Sequence, residues 1–225
     1  MGAWETFLGR VGDKKVCVAI PHTGTVSFHW AIRFKSLLMP NGTLMYSEQG
    51  LPWDLSREKI VEVCIKENVD EIVWVDSDTI PRTDKDILKL IEYDFPVVSG
   101  VYIAKKQGYK LPAVWKKING EYHPMTLDNR GLHYADVIGM GFCKTKVKET
   151  FGKMKKPWFY FTLNRYVDGI KVSPELSEDF WYCEKLKEIG IMPIVDFDLL
   201  CDHIGTCRIS IVEKDGKREV EMDVI

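Results

Sequence analysis

Two carboxylates one residue apart, Asp76 and Asp78 in EIVWVDSDTIPR (71–82), follow the mostly apolar run 72–75. In an extended chain residues i and i+2 point to the same side, so both side chains are expected to converge on one point. Like charges held together favour a cation between them. Mg2+ or Mn2+ prefers oxygen ligands and commonly bridges one or two carboxylates to the phosphates of a substrate. The bland reading of the same residues is a solvated turn, because aspartate is a common turn former.

Three other groups could do chemistry. Glu178 and Asp179 in SEDF stand in the first turn of a predicted helix, where the helix dipole alone is reason enough for acidic residues. Their functional version makes Asp179 a general base held by a rigid helix start. His203 in CDHIG could complete a cation's shell with a neutral imidazole. A zinc site begun by Cys201, His203 and Cys207 lacks a fourth ligand at the usual pair spacing. Gly139 and Gly141, inside a strand-like run, imply a bulge or a ligand passing close to the backbone. A Walker loop, a G-x-G-x-x-G turn and a G-x-S-x-G elbow are absent from the sequence.

The elements that must position these residues alternate in the first half. KKVCVAIP (14–21) reads as a buried strand, and VSFHWAIRFKSLLM (26–39) as a helix with Phe28, Ile32, Leu37 and Leu38 at helical spacing. TLMYS (43–47) is a short strand. Ser56 stands as N-cap of REKIVEVCIKEN (57–68), where Ile60 and Cys64, and Val61 and Ile65, recur at i+4. The run 72–75 is the next strand, RTDKDILKLIEYD (82–94) a helix capped by Thr83, and FPVVSGVYIA (95–104) a further strand. Strands alternating with helices predict an α/β fold with a Rossmann-like, mostly parallel sheet. Ligands of such sheets bind beyond the carboxyl ends of the strands, where Asp76 and Asp78 fall.

The second half is less regular. It reads as a hairpin turning at Asn119-Gly120, a strand over YADVIGMGFCKT (134–145), a short helix over VKETFGKM (147–154), and a helix capped by Ser177 and stopped by Gly190. A strand and loop over 191–205 and a hairpin at Asp215-Gly216 complete it. Without repeats or a linker, the expectation is one domain over 1–225 with halves of about 15–135 and 136–225.

Composition is ordinary for a globular protein, at 45% hydrophobic and 28% charged residues. The formal charge of −2 comes from 31 basic and 33 acidic residues, well mixed apart from Lys153, Lys155 and Lys156, which argues against nucleic acid as a broad partner. Six cysteines without a C-x-x-C pair fit a reduced, cytoplasmic protein. No apolar run approaches the roughly 18 residues of a membrane span, and the signal-peptide core is missing. Peripheral membrane contact stays open, since MGAWET matches a myristoylation pattern at Gly2. The aromatic run 158–161 is either core or a platform for a sugar or lipid headgroup.

Taken in order, VAIPHTG, SREKIVEVCIKE…DEIVWVDSDTIPR, PVVSGVY, VIGMGFCKTKV, PWF, SEDFWYCEKLKEIG and DHIG resemble glycosyltransferases of the GT-A fold, family 2-like, over about residues 16–205. The resemblance implies that 15–135 binds a nucleotide-sugar and 136–225 is the acceptor and catalytic half. Asp76 and Asp78 match the DXD motif, Asp78 as direct ligand of Mn2+ or Mg2+ and Asp76 toward ribose and metal. His203 matches the late histidine of the metal site, Glu178 and Asp179 the E-D pair with Asp179 as base. Pro21, His22 and Thr23 match the nucleotide pocket, with Ser77 inside the DXD motif, Arg57 an arginine that reaches the donor, and Gly139 to Phe142 the loop beside sugar and acceptor. The implied activity moves one sugar from a UDP- or GDP-sugar to a hydroxyl of a glycan, lipid or protein, with inversion.

The chain departs from the family in places. No Q-x-x-R-W follows the E-D pair, which points to single, non-processive transfers, and the acidic residue after the second strand has only Glu48 as a counterpart. The alternatives are a haloacid dehalogenase-type phosphatase with Asp76 as nucleophile and Asp78 as acid, a non-catalytic nucleotide-sugar-binding protein, and a nucleotidyltransferase. The phosphatase motif wants Thr or Val where Ile80 stands, and PHTGTVSFHW lacks the glycine-rich basic signature of nucleotidyltransferases.

Overall fold

The computed structural model describes residues 14–50, 52–104, 111–162, 166–167, 170–171, 176–205 and 207–224; the Gly2 pattern lies outside the described residues. Along the chain run β1 (Val16–His22), α1 (Phe28–Lys35), β2 (Leu44–Gln49), α2 (Trp53–Lys66), β3 (Glu71–Val75), β4 (Thr79–Pro81), α3 (Asp86–Glu92) and β5 (Val97–Val101). There follow β6 (Val114–Ile118), β7 (Glu121–Pro124), β8 (Leu132–Tyr134), β9 (Val137–Ile138), β10 (Phe142–Lys146), a ribbon of β11 (Tyr166–Val167) and β12 (Ile170–Lys171), α4 (Glu178–Glu188), β13 (Ile194–Ile204), β14 (Cys207–Lys214) and β15 (Lys217–Val224).

The main sheet has the order β15-β14-β13-β5-β10-β3-β1-β2, with β4 and β8 also pairing β13. It is mixed, which corrects the expected mostly parallel sheet. Among the described residues only β1–β2, β1–β3 and β5–β13 pair in parallel. β10 runs antiparallel between β3 and β5. The cause is the excursion after β5: β6, β7 and β9 form a small separate sheet, and among the described residues no helix carries the chain back across the main sheet. A chain that re-enters from the end at which it left must run antiparallel, since a parallel return needs a crossover of a dozen or more residues.

β3 is buried at every position, with Ile72, Val73, Trp74 and Val75 at 0% exposure. A strand covered on both faces reads as a continuous apolar run, and each such side chain contributes about 1.5–3 kcal/mol by burial. Trp74 places its indole N–H on Thr145 Oγ1 of β10 at 3.0 Å, so its polar edge is satisfied inside the core. In α1 the buried residue is Trp30, while Phe28 is 81% exposed, so the helical face expected from Phe28 and Ile32 is the outer one.

Helix α2 begins at Trp53 with Pro52 as N-cap, so Ser56 is not its cap; its hydroxyl donates to Gly50 O at 3.2 Å. On its buried face Arg57, Ile60, Val61 and Cys64 follow at helical spacing. Thr83 is not the cap of α3 either, which begins at Asp86 with Lys85 as N-cap; the Thr83 N–H instead donates to Asp86 Oδ2 at 2.9 Å. The stretch 147–154 forms turns rather than the expected helix. Both hairpins turn where expected: Asn119 and Gly120 have φ of 52° and 89°, Asp215 and Gly216 of 50° and 74°. Positive φ at both central residues suits the right-handed twist of the flanking strands. Trp158 and Phe159 belong to the core. Among the described residues no helix is long and apolar enough to cross a membrane.

Candidate functional site

Asp76 is the first residue beyond β3, and the chain turns there: Thr79 N–H donates to Asp76 O at 3.0 Å. The turn is pinned from α1 by the indole of Trp30, which donates to Asp76 O at 3.1 Å and Thr79 O at 2.9 Å. The backbone is therefore not extended through 76–78, and the two carboxylates take different partners. Both Asp76 oxygens accept from Arg57 Nη2, each at 3.0 Å. Asp78 Oδ2 instead faces His203 Nε2 at 3.2 Å.

Strand pairing brings His203 to this place. β13 continues through Ile204 rather than ending before the histidine, and its register with β4 sets His203 opposite Thr79. Ile204 N–H donates to Asp78 O at 2.6 Å, clamping the same turn. His203 Nδ1 lies 2.6 Å from Ile103 O. A carbonyl oxygen only accepts, so Nδ1 carries the hydrogen and Nε2 is directed at Asp78 to share a proton or a cation.

An imidazole nitrogen and a 44% exposed carboxylate fit Mn2+ or Mg2+ held by few protein ligands, with substrate oxygens completing the shell. Among the described residues no three His, Cys, Asp or Glu side chains form a metal cage. The residues that could hold a cation there are Asp78 and His203, since Asp76 is committed to Arg57.

Beside Asp78 lies a cleft of about 440 Å3 lined in part by Thr23, Ser27, Trp53, Ser77 and Gly205. Its size is that of an ordinary small-molecule site. Of the three residues expected after β1, Thr23 reaches this cleft; Pro21 is buried and His22 Nδ1 accepts the Gly24 N–H at 3.0 Å.

Arg57 is 1% exposed, so it stands beneath the site rather than on its surface. Its guanidinium lies 5.5 Å from the Trp74 ring centroid and 6.0 Å from that of Phe159, and its Nε is 3.9 Å from Glu178 Oε1. Nε and Nη1 have no hydrogen-bond partner. Burial opposes its charge, but Asp76, Asp179 and Glu178 outweigh that and hold it firmly protonated.

Helix α4 presents Glu178 and Asp179 at its start. Asp179 Oδ1 is enclosed without a partner. Burial first, then the neighbouring Glu178, push the Asp179 carboxyl well above the ordinary range, while Arg57 opposes them. Burial raises Glu178 as well. A purely dipolar role at a helix start leaves carboxylates in water; these two are turned inward.

Gly139 and Gly141 serve Tyr102. A Cβ on Gly139 would stand 2.2 Å from the Tyr102 hydroxyl, and one on Gly141 2.9 Å from its Cζ. The hydroxyl accepts the Gly141 N–H at 3.1 Å, and the ring meets His203 edge-on at 5.2 Å. Tyr102 and Trp30, which brace the metal-type pair and the turn, carry no sequence signal of their own, because their partners lie far along the chain.

No protein-family model matches the chain, and no curated protein matches it. Among solved structures, A197 from STIV is similar with a TM-score of 0.59 and 16% identity, covering 93% of this chain and 94% of that one, which shows a shared fold. A glycosyltransferase involved in the glycosylation of the major capsid of PBCV-1 aligns over 81% of this chain and 92% of its own, with a TM-score of 0.32 and 13% identity.

Proposed function

We propose that the chain is a metal-dependent glycosyltransferase of GT-A type that moves one sugar from a nucleoside-diphosphate sugar to an acceptor hydroxyl. The observation that carries this reading is the Asp78–His203 pair, 3.2 Å apart, beside a 440 Å3 cleft that Ser77 and Asp78 line just beyond β3. The order of sequence motifs from VAIPHTG to DHIG supports it independently.

In this reading Thr23 and Ser77 offer hydroxyls to the ribose and phosphates of the donor. Asp78 and His203 hold Mn2+ or Mg2+, which when bound offsets the negative charge that gathers on the departing diphosphate. Arg57 orients Asp76 at the floor of the site and opposes the rise that burial imposes on its carboxyl. Asp179 takes the proton from the acceptor hydroxyl as that oxygen attacks the anomeric carbon from the face opposite the diphosphate, which inverts the centre. Burial first, and then Glu178, raise the proton affinity of Asp179, so the ionised carboxylate is a stronger base than one in water. The phosphatase alternative is disfavoured because Asp76, with both oxygens on Arg57, is not presented as a nucleophile.

A thermal-shift panel of UDP, GDP, CDP and their sugars, each with and without Mn2+, tests the reading. One nucleotide at 100 times its dissociation constant is expected to stabilise the wild type by about 2.7 kcal/mol, roughly 5–10 °C in a chain of this size. The shift is expected to need Mn2+ and to vanish in Asp78→Ala. Incubation with the matching sugar donor and an acceptor library is expected to release nucleoside diphosphate. Silence with every nucleotide sinks the sugar-donor reading, and metal-dependent binding with no turnover on any acceptor favours a binding protein.

A further inference from the structure

On the sheet face below α2, away from the acidic site, Cys17 of β1 and Cys64 of α2 are neighbouring thiols that line one cavity. Both residues are buried, at 2% and 1% exposure. Buried cysteines ordinarily pack as inert small hydrophobes. This pair differs because the two side chains line one cavity of about 280 Å3, walled by Leu44 and Val69 and flanked by Met45 and Glu67. Met45 is 57% exposed, so the cavity borders on solvent. Cys143, Cys183 and Cys201 are also buried free thiols but do not line it. Cys143 has Met140 Sδ at 3.5 Å and Cys183 has Ile138 O at 3.9 Å as partners.

We propose that Cys17 and Cys64 form a dithiol that a small peroxide converts reversibly to a disulfide, locking α2 onto β1. The cavity admits a reactant the size of hydrogen peroxide and gives both side chains room to turn toward the S–S geometry. Cys17 is the attacking sulfur: the neighbouring Cys64 thiol favours its thiolate against the opposing effect of burial, and the Tyr46 backbone adds to this. The thiolate attacks one peroxide oxygen, the O–O bond breaks, and the departing hydroxide takes a proton to become water, leaving Cys17 as a sulfenic acid. The Cys64 sulfur then attacks the Cys17 sulfur and displaces the hydroxyl, which leaves as a second water with the Cys64 proton. Two thiols are oxidised by two electrons and one peroxide is reduced to two waters. The reaction is independent of any transferase activity.

The test is graded hydrogen peroxide treatment of the full chain, followed by non-reducing peptide mapping by mass spectrometry. Sulfoxide formation at exposed Met45 gauges that oxidant has reached the cavity mouth. The expected result is a Cys17–Cys64 linked peptide, two hydrogens lighter than its parts, in monomeric protein. It is expected to disappear with dithiothreitol, while Cys143, Cys183 and Cys201 stay reduced. In Cys64→Ser, Cys17 is expected to stop as a sulfenic acid that dimedone traps. The proposal is overturned if Met45 is oxidised while Cys17 and Cys64 stay free thiols, or if they pass to sulfinic and sulfonic acids without cross-linking. The wild-type map decides this even if the serine variant fails to fold.

Discussion

Around Arg57 one guanidinium faces three carboxylates, Asp76, Glu178 and Asp179. The imbalance is absorbed by protons: burial and Glu178 lift Asp179 well above the ordinary carboxylate range. Two consequences with opposite signs follow. In the proposed transfer Asp179 acts as the base and must be ionised, so transfer is expected to rise with pH along an acid limb above that range. Glu178→Gln, which removes the like charge, is expected to move the limb to lower pH. Asp179→Asn is expected to lower turnover by about 10²–10⁴-fold. For stability, the native state holds a proton that the unfolded chain has released between the ordinary value and the raised one, so stability falls as pH rises across that window. Asp179→Asn, permanently neutral, is expected to escape that fall, which urea unfolding at pH 5 and pH 8 of both proteins would measure. An acid limb unchanged by Glu178→Gln would count against the pairing. Asp76, Asp78, Asp179 and His203 were legible in the sequence because carboxylates after an apolar strand, at a helix start, or a histidine beside a glycine are local patterns. Their partnerships were not: the even spacing of Asp76 and Asp78 suggested convergence, and the turn clamped by Trp30 and Ile204 separates their roles.

At the scale of the elements, β10 carries a cost at the edge remote from the cleft. Lys144 is buried with its side chain at 0% exposure, 3.5 Å from Glu71 Oε1 and bonded to Tyr93 O. Burial lowers its ammonium to about 8, and Glu71 opposes this only in part. The folded value lies below the ordinary 10.5, so between about 8 and 10.5 the native state binds fewer protons than the unfolded chain and stability rises with pH. The difference corresponds to roughly 3 kcal/mol across the window. Lys144→Met lacks this dependence, so wild type is expected to gain on it between pH 7 and pH 10 in denaturant unfolding; parallel pH profiles would refute the assignment. Nothing in GFCKTKV marked Lys144 as buried, because alternation along a strand covered on both faces no longer reports exposure. The hairpins were legible for the opposite reason. Asn-Gly and Asp-Gly satisfy positive φ locally, whereas Ser56 resembled a cap only while the helix was read as starting four residues too late.

At the scale of the molecule, the sheet order decides which parts of the chain can fold alone. The sequence suggested halves of about 15–135 and 136–225, and alternation of strands and helices made the α/β class legible up to β5. The sheet nevertheless interleaves the halves: β10 lies between β3 and β5, and β13 covers the other side of β5. Antiparallel insertion of a later strand leaves no trace in hydrophobic periodicity, which reports what is buried and not which neighbour buries it. A fragment ending at residue 135 would expose both edges of β5 and one edge of β3, and Trp74 would lose Thr145 as the acceptor for its indole. Unpaired strand edges of that apolarity favour association with other chains over a monomeric fold. The fragment is therefore expected to unfold without cooperativity and to aggregate, judged by urea titration followed by circular dichroism and by light scattering. A soluble monomer with a sharp urea transition would show that the parallel strands β1, β2 and β3 and their helices are sufficient, and that β10 joins an already formed unit. The site sets a further condition. Asp76 and Asp78 follow β3, but His203 and Asp179 come from β13 and α4, so even a folded first half is expected to show no Mn2+-dependent nucleotide shift.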